Sequence, residues 1–130
     1  MMSEILPNLF IGDWQDAQQP FDGFIFNVLE NPPPPGVYPS PNVGWVPILK
    51  QVGNEVRADR GSLDIAADNI ESALNSHGRV LVHCGAGIER SPLVVAWFLH
   101  RKLGMTMDDA YALIISKRLQ VQRRDFWVGP

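Results

Sequence analysis

The chain is poor in the residues that staple or metallate small proteins: one cysteine and three histidines stand among its 130 residues. A single thiol excludes an intramolecular disulfide, so the fold must be held by packing. Cations are in short supply too, with 11 Lys and Arg against 14 Asp and Glu. The resulting net charge of −3 excludes bulk attraction for nucleic acid or an anionic membrane, and neither is an expected partner. No stretch approaches the roughly 18 apolar residues of a membrane span. The start, Met1-Met2-Ser3-Glu4-Ile5, lacks the basic and long apolar segments of a signal peptide. These absences, together with the lone thiol, favour a reducing cytoplasm. Neither a His-Glu-His cluster nor a paired-aspartate spacing offers a metal site, so no metal or cofactor is expected.

What the chain does have is a normal hydrophobic share, 45%, in a length that suits one domain over residues 1–130. Leu9-Phe10-Ile11-Gly12, Phe24-Ile25-Phe26-Asn27-Val28-Leu29, Trp45-Val46-Pro47-Ile48-Leu49 and Val80-Leu81-Val82 read as short strands. Residues 13–17 suit a helical turn that Pro20 ends. Apolar residues from Leu63 to Leu74 recur at three and four positions, which predicts a helix from Ser62 to Gly78. Two more helices are expected, one from Ser91 to Gly104 and one capped by Thr106. Strands alternating with helices imply a single small α/β domain with a mostly parallel sheet of four or five strands and helices on both faces. The run Pro32-Pro33-Pro34-Pro35, followed by Pro39 and Pro41, reads as a stiff surface loop, since no flanking cation marks it as a polyproline ligand.

The distinctive segment is His83-Cys84-Gly85-Ala86-Gly87-Ile88-Glu89-Arg90-Ser91-Pro92, set between a strand and a helix. Gly85 and Gly87 permit positive φ angles, so the N–H groups from Gly85 through Ala86, Gly87, Ile88 and Glu89 to Arg90 can turn inward as an anion nest. Arg90 adds a planar fork for two phosphate oxygens. With Ser91 as cap and Pro92 at the first helical position, the helix points its positive end into the loop. That field favours the thiolate of Cys84, a nucleophile.

His-Cys, five residues and then Arg-Ser resembles the signature loop of the cysteine-dependent protein tyrosine phosphatases, and the small size points to their dual-specificity branch. Gly78-Arg79-Val80-Leu81-Val82 resembles the entering strand and Ile5-Leu6-Pro7-Asn8-Leu9-Phe10-Ile11-Gly12 the opening hairpin of such domains. The resemblance implies attack of Cys84 on phosphorus, a phosphocysteine intermediate, phosphate held by Arg90 and the loop, and Ser91 steadying the thiolate as it leaves. His83 is expected to orient the loop through hydrogen bonds. Phosphorylated proteins or peptides, and small aryl phosphates, are the implied substrates of a metal-independent monomer. Ala86 and Ile88, apolar where phosphoinositide-directed relatives carry a lysine-bearing loop, weaken a lipid-phosphatase reading. The short chain suggests a shallow pocket accepting phosphotyrosine with phosphoserine and phosphothreonine.

The resemblance also implies an aspartate general acid on a loop ahead of the cysteine, and here the chain departs: Lys50 follows Leu49 where many relatives place an aspartate. Asp59, beside the mobility of Gly61, is the first candidate and Glu55 the second. Asp64 is more simply an N-terminal helix charge. Glu89 is expected to brace a basic neighbour. Lys117, Arg118, Arg123 and Arg124, with Gln120, Gln122, Phe126 and Trp127 interleaved, form a basic-aromatic cluster. Its expected roles are core packing by Phe126 and Trp127, bracing of the active-site side by Arg118, and substrate contact by Gln120 or Gln122. Two alternatives to a phosphatase stay open, a phosphopeptide-binding pseudophosphatase without an efficient acid and a rhodanese-like sulfurtransferase.

Overall fold

Apolar runs of four residues suffice here because each strand is sandwiched. In the computed structural model, which describes residues 1–129, the strands in chain order are β1 (Ser3–Leu6), β2 (Leu9–Gly12), β3 (Phe24–Asn27), β4 (Val43–Trp45), β5 (Leu49–Val52), β6 (Glu55–Ala58) and β7 (Val80–His83). The helices are α1 (Trp14–Ala17), α2 (Arg60–His77), α3 (Arg90–Leu103) and α4 (Met107–Lys117), followed by a 3₁₀ turn at Asp125–Val128. The main sheet has the order β1-β2-β7-β3-β4. β1 and β2 pair antiparallel, and the other three pairs are parallel.

β7 sits at the centre with all four residues buried. Val80 and Val82 face the main core with Ile11, Phe26, Leu63, Leu93 and Ile114, while Leu81 faces a smaller cluster with Ala17 and Ile25. Helices thus cover both faces, but unequally. The main core lies under α2, α3 and α4, whereas α1 is one turn long and shares its face with Phe21, Tyr38 and Val43. α3 is buried without a break from Ser91 to Leu99. A helix buried all round, between the sheet and two other helices, fixes the loop that feeds it.

Four local expectations change. The strand expected at 45–49 is split: β4 stops at Trp45 and β5 starts at Leu49, because Pro47 has no N–H for the ladder. β5 and β6 form a separate antiparallel hairpin through Gly53, φ +61, which the polar composition of this segment concealed. α2 starts at Arg60 with Asp59 as its cap, not at Ser62. Ser91 is not the cap of α3: Glu89 occupies that position and Ser91 lies inside the first turn. Pro92 moves inward with it, at no cost, since first-turn N–H groups have no intrahelical acceptor.

Candidate active site

Parallel pairing dictates what surrounds the cysteine. Gly12 and Asn27 both register with His83, so β2, β3 and β7 end together. The segments leaving β2 and β3 therefore flank loop 84–90, placing Trp14 on one side and Glu30 on the other. The C-terminal ends of parallel strands are where α/β sheets bind ligands.

Every carbonyl in the first part of the loop is held from outside. His83 Nδ1 is 3.2 Å from Cys84 O, the Trp14 N–H donates to Gly85 O at 2.9 Å, and Arg118 donates to Ala86 O at 3.5 Å and Gly87 O at 2.8 Å. The Gln122 N–H completes the series at Ile88 O, 2.9 Å. With five carbonyls drawn outward, the N–H groups are left for the concave side. Gly87 makes the turn, at φ +68, and a Cβ there would lie 2.6 Å from Arg118 Nη2 and 2.7 Å from Gly12 O. Gly85 does not have a left-handed φ, and a Cβ on it would meet Arg90 Nη2 at an ordinary 3.6 Å. One glycine, not two, is required by the backbone.

Cys84 is 2% exposed. Burial alone raises a thiol's pKa, but here it is outweighed by the Ser91 hydroxyl at 3.2 Å, N–H groups of Ser91 and Gly87, and the charge of Arg90, so the pKa falls below the ordinary value. His83 is fully buried, and burial lowers its pKa. Because a carbonyl only accepts, Nδ1 carries the proton to Cys84 O and Nε2 accepts from the Tyr38 hydroxyl at 2.7 Å. Burial raises the pKa of Tyr38, which keeps that hydroxyl a donor.

Arg90 turns Nη1 to both carboxylate oxygens of Glu30, at 2.7 and 2.6 Å, and its Nη2 lies beside Gly85. The ion pair thus occupies Nη1 and leaves Nη2 beside the loop at Gly85. Glu30 was not anticipated from the sequence; its position three residues beyond β3, at the common end of the parallel strands, was the available signal. Glu89 is engaged by Arg124 Nε at 2.7 Å.

The carboxyls considered as general acid are all committed elsewhere. Asp59 caps α2 through Ser62 N–H and Oγ, both at 3.0 Å, and is paired with Lys50 Nζ at 3.0 Å. Hydrogen bonds from Lys50 and Ser62 hold its pKa below the ordinary carboxylate value. Glu55 lies on exposed β6 and pairs with Arg57. Asp64 is not a first-turn charge: its Oδ1 accepts from Trp97 Nε1 at 2.8 Å and meets Arg101 at 3.5 Å.

The basic-aromatic cluster disperses. Arg118 is buried, donating to Met1 O at 2.6 Å and Ser3 Oγ at 3.0 Å besides the loop carbonyls. Arg123 pairs with Asp108 and Asp125 and stacks on Tyr111. Trp127 packs against the core, while Phe126 is 66% exposed instead of buried. The side chains of Gln120 and Gln122 are exposed.

Residues 23–128 match the sequence model of the dual specificity phosphatase catalytic domain. Human dual specificity protein phosphatase 16 is 33% identical over 122 residues, covering 89% of this chain and 18% of that protein. The chain spans about a fifth of the length of these curated relatives. Among solved structures, a variant of human DUSP28 superposes with a TM-score of 0.77 at 21% identity, over 97% of this chain and 88% of that one. The human tyrosine phosphatase-like serine/threonine/tyrosine-interacting protein gives 0.75 at 21%, over 98% and 90%. At such identities the solved structures speak for the fold.

Proposed function

The chain belongs to the dual-specificity phosphatase catalytic-domain family, and on that basis we propose that it hydrolyses phosphomonoesters of proteins or peptides through a phosphocysteine on Cys84. In the first step the thiolate attacks phosphorus, an S–P bond forms, the P–O bond to the leaving group breaks, and the departing oxygen takes up a proton from solvent water. In the second, water attacks phosphorus, the S–P bond breaks, and phosphate leaves with Cys84 again a thiolate. Arg90 and the loop N–H groups stabilise charge on the equatorial oxygens in both steps. The Ser91 hydroxyl stabilises the departing thiolate. The observation that carries this reading is the set of five loop carbonyls tied outward around a buried thiol of lowered pKa.

The first candidate for the acid is a helix cap, and we read Asp59 as structural. A proton donor must keep its proton near neutral pH, whereas Asp59 is stabilised ionised by Lys50 and Ser62. Leaving-group departure then rests on the substrate, and turnover depends steeply on leaving-group pKa. This same observation supports the second reading, a domain that captures phosphopeptides with little turnover. Family membership sets the rhodanese-like alternative aside.

A series of aryl phosphates of graded phenol pKa, assayed with the wild type and Cys84→Ser, separates the two readings. The expected result is wild-type hydrolysis that slows as the phenol becomes more basic, and no turnover by Cys84→Ser. Retained phosphopeptide binding with no hydrolysis of any member would sink the catalytic reading.

A further inference from the structure

The proline run has no part in the chemistry so far, yet it walls a cleft beside the phosphate loop. The cleft has a volume of about 300 Å³, at the small end of ligand pockets. Its apolar lining comes from Trp14, Leu29 and residues 32–34, with Asn27, Glu30 and Asn31 as its polar part.

The Trp14 wall is fastened to the loop after Cys84, and the Leu29 wall to β3 and β4. The Trp14 backbone N–H donates to Gly85 O, and the indole lies 5.8 Å from the His83 ring and 6.0 Å from that of Tyr38. Leu29 is fixed at each end of its peptide unit, its N–H on Asn27 Oδ1 at 2.7 Å and its C=O on Trp45 Nε1 at 2.8 Å. Prolines have fixed φ, so the third wall is stiff before anything binds. Glu30 joins the cleft to the phosphate site, because it lines the cleft while its carboxylate grips Arg90.

We propose that the Trp14–Leu29–proline cleft seats the aromatic ring of an aryl phosphate whose phosphate is bound at Arg90, making this chain selective for phosphotyrosine over phosphoserine and phosphothreonine. A ring buries apolar area against tryptophan and proline with no hydrogen bond to satisfy. Phosphoserine and phosphothreonine carry no ring and so have little apolar area to bury there. This departs from the broad acceptance expected of a shallow pocket. It deepens the phosphatase reading of the same site.

The test uses one peptide sequence carrying either phosphotyrosine or phosphoserine, with binding measured by calorimetry in the Cys84→Ser background and turnover measured with Cys84 intact. The expectation is that phosphotyrosine binds about tenfold tighter, the factor that burying part of one ring supplies. Trp14→Ala should collapse that ratio to near one. Trp14→Leu, which keeps an apolar body against Tyr38 and His83, and Pro33→Gly should each reduce it partway. An unchanged ratio in these folded variants, or equal losses for both peptides, would overturn the proposal. If the ratio behaves as expected while the protein with Cys84 intact hydrolyses neither peptide, the cleft stands and the catalytic reading fails.

Discussion

The loop of residues 84–90 and the segment from Lys50 to Asp59 both bear on one proposed reaction, and they are built in opposite ways. In the loop the backbone answers to the thiol and to segments around it: five carbonyls are tied to His83, Trp14, Arg118 and Gln122, and the Ser91 hydroxyl and Gly87 N–H are on the sulfur. In the hairpin the charges answer to each other, Lys50 to Asp59 and Arg57 to Glu55, on an exposed surface. A nucleophile can be fixed by one strand-loop-helix unit. A general acid needs a second segment to arrive at the same point, and here that segment has folded into its own small sheet.

If the loop's geometry depends on outside support, the largest effect of a change away from the thiol should come from Arg118. Arg118→Met removes the donor to Gly87 O, Ala86 O, Met1 O and Ser3 Oγ at once. Each buried acceptor left unpaired costs about 1–3 kcal/mol, so the variant is expected to lose on the order of 3 kcal/mol in urea denaturation. Turnover should fall by more than about 100-fold, as expected when oxyanion donors are displaced. Arg118→Lys, which keeps the charge but not the planar fork, should fall between. A fully stable and active Arg118→Met would break the contrast, since the loop would then be self-supporting.

Much of this was legible in the sequence. Short apolar runs marked β2, β3 and β7 because buried parallel strands are apolar on both faces, and Thr106 and Gly104 marked helix ends by their cap chemistry. The loop was legible because its chemistry is contiguous. What stayed hidden were the long-range partners: Glu30 on Arg90, Tyr38 on His83, and the Trp14 N–H on Gly85. These depend on which strands are neighbours, and no local pattern states that. The hairpin β5–β6 was hidden for a different reason, since its strands bury almost nothing and carry no alternation to read.

Ser91 offers a smaller and more local test. Its hydroxyl contributes to the lowered pKa of Cys84 against the opposing effect of burial. Ser91→Ala should therefore raise the thiol pKa, so that less thiolate exists at pH 6 and the midpoint of iodoacetate alkylation moves to higher pH. A hydrogen bond to a charged group is worth about 1.5–3 kcal/mol, which predicts a loss of roughly 10- to 100-fold in kcat, with phosphoenzyme accumulating because the second step expels the thiolate. An unchanged alkylation profile would remove Ser91 from the sulfur's electrostatics.

The smallest effect on turnover is expected at Asp59, and it sharpens the comparison most. If the carboxyl is only a helix cap, Asp59→Asn keeps turnover of aryl phosphates within about twofold, because asparagine caps nearly as well. Asp59→Ala should cost about 1 kcal/mol of stability, again with little change in rate. The pH dependence separates cap from acid. Because the folded-state pKa of Asp59 is lowered, its contribution is fully present above the unfolded value near 3.9 and is lost as pH falls through the folded value. The stability gap between wild type and Asp59→Ala should therefore close in strongly acidic buffer and be flat from pH 5 to 8. With Lys50 and Asp59 half exposed, solvent screening keeps the pair's own share small. A steep fall in turnover by Asp59→Asn, confined to substrates with basic leaving groups, would show that Asp59 leaves its cap to donate a proton.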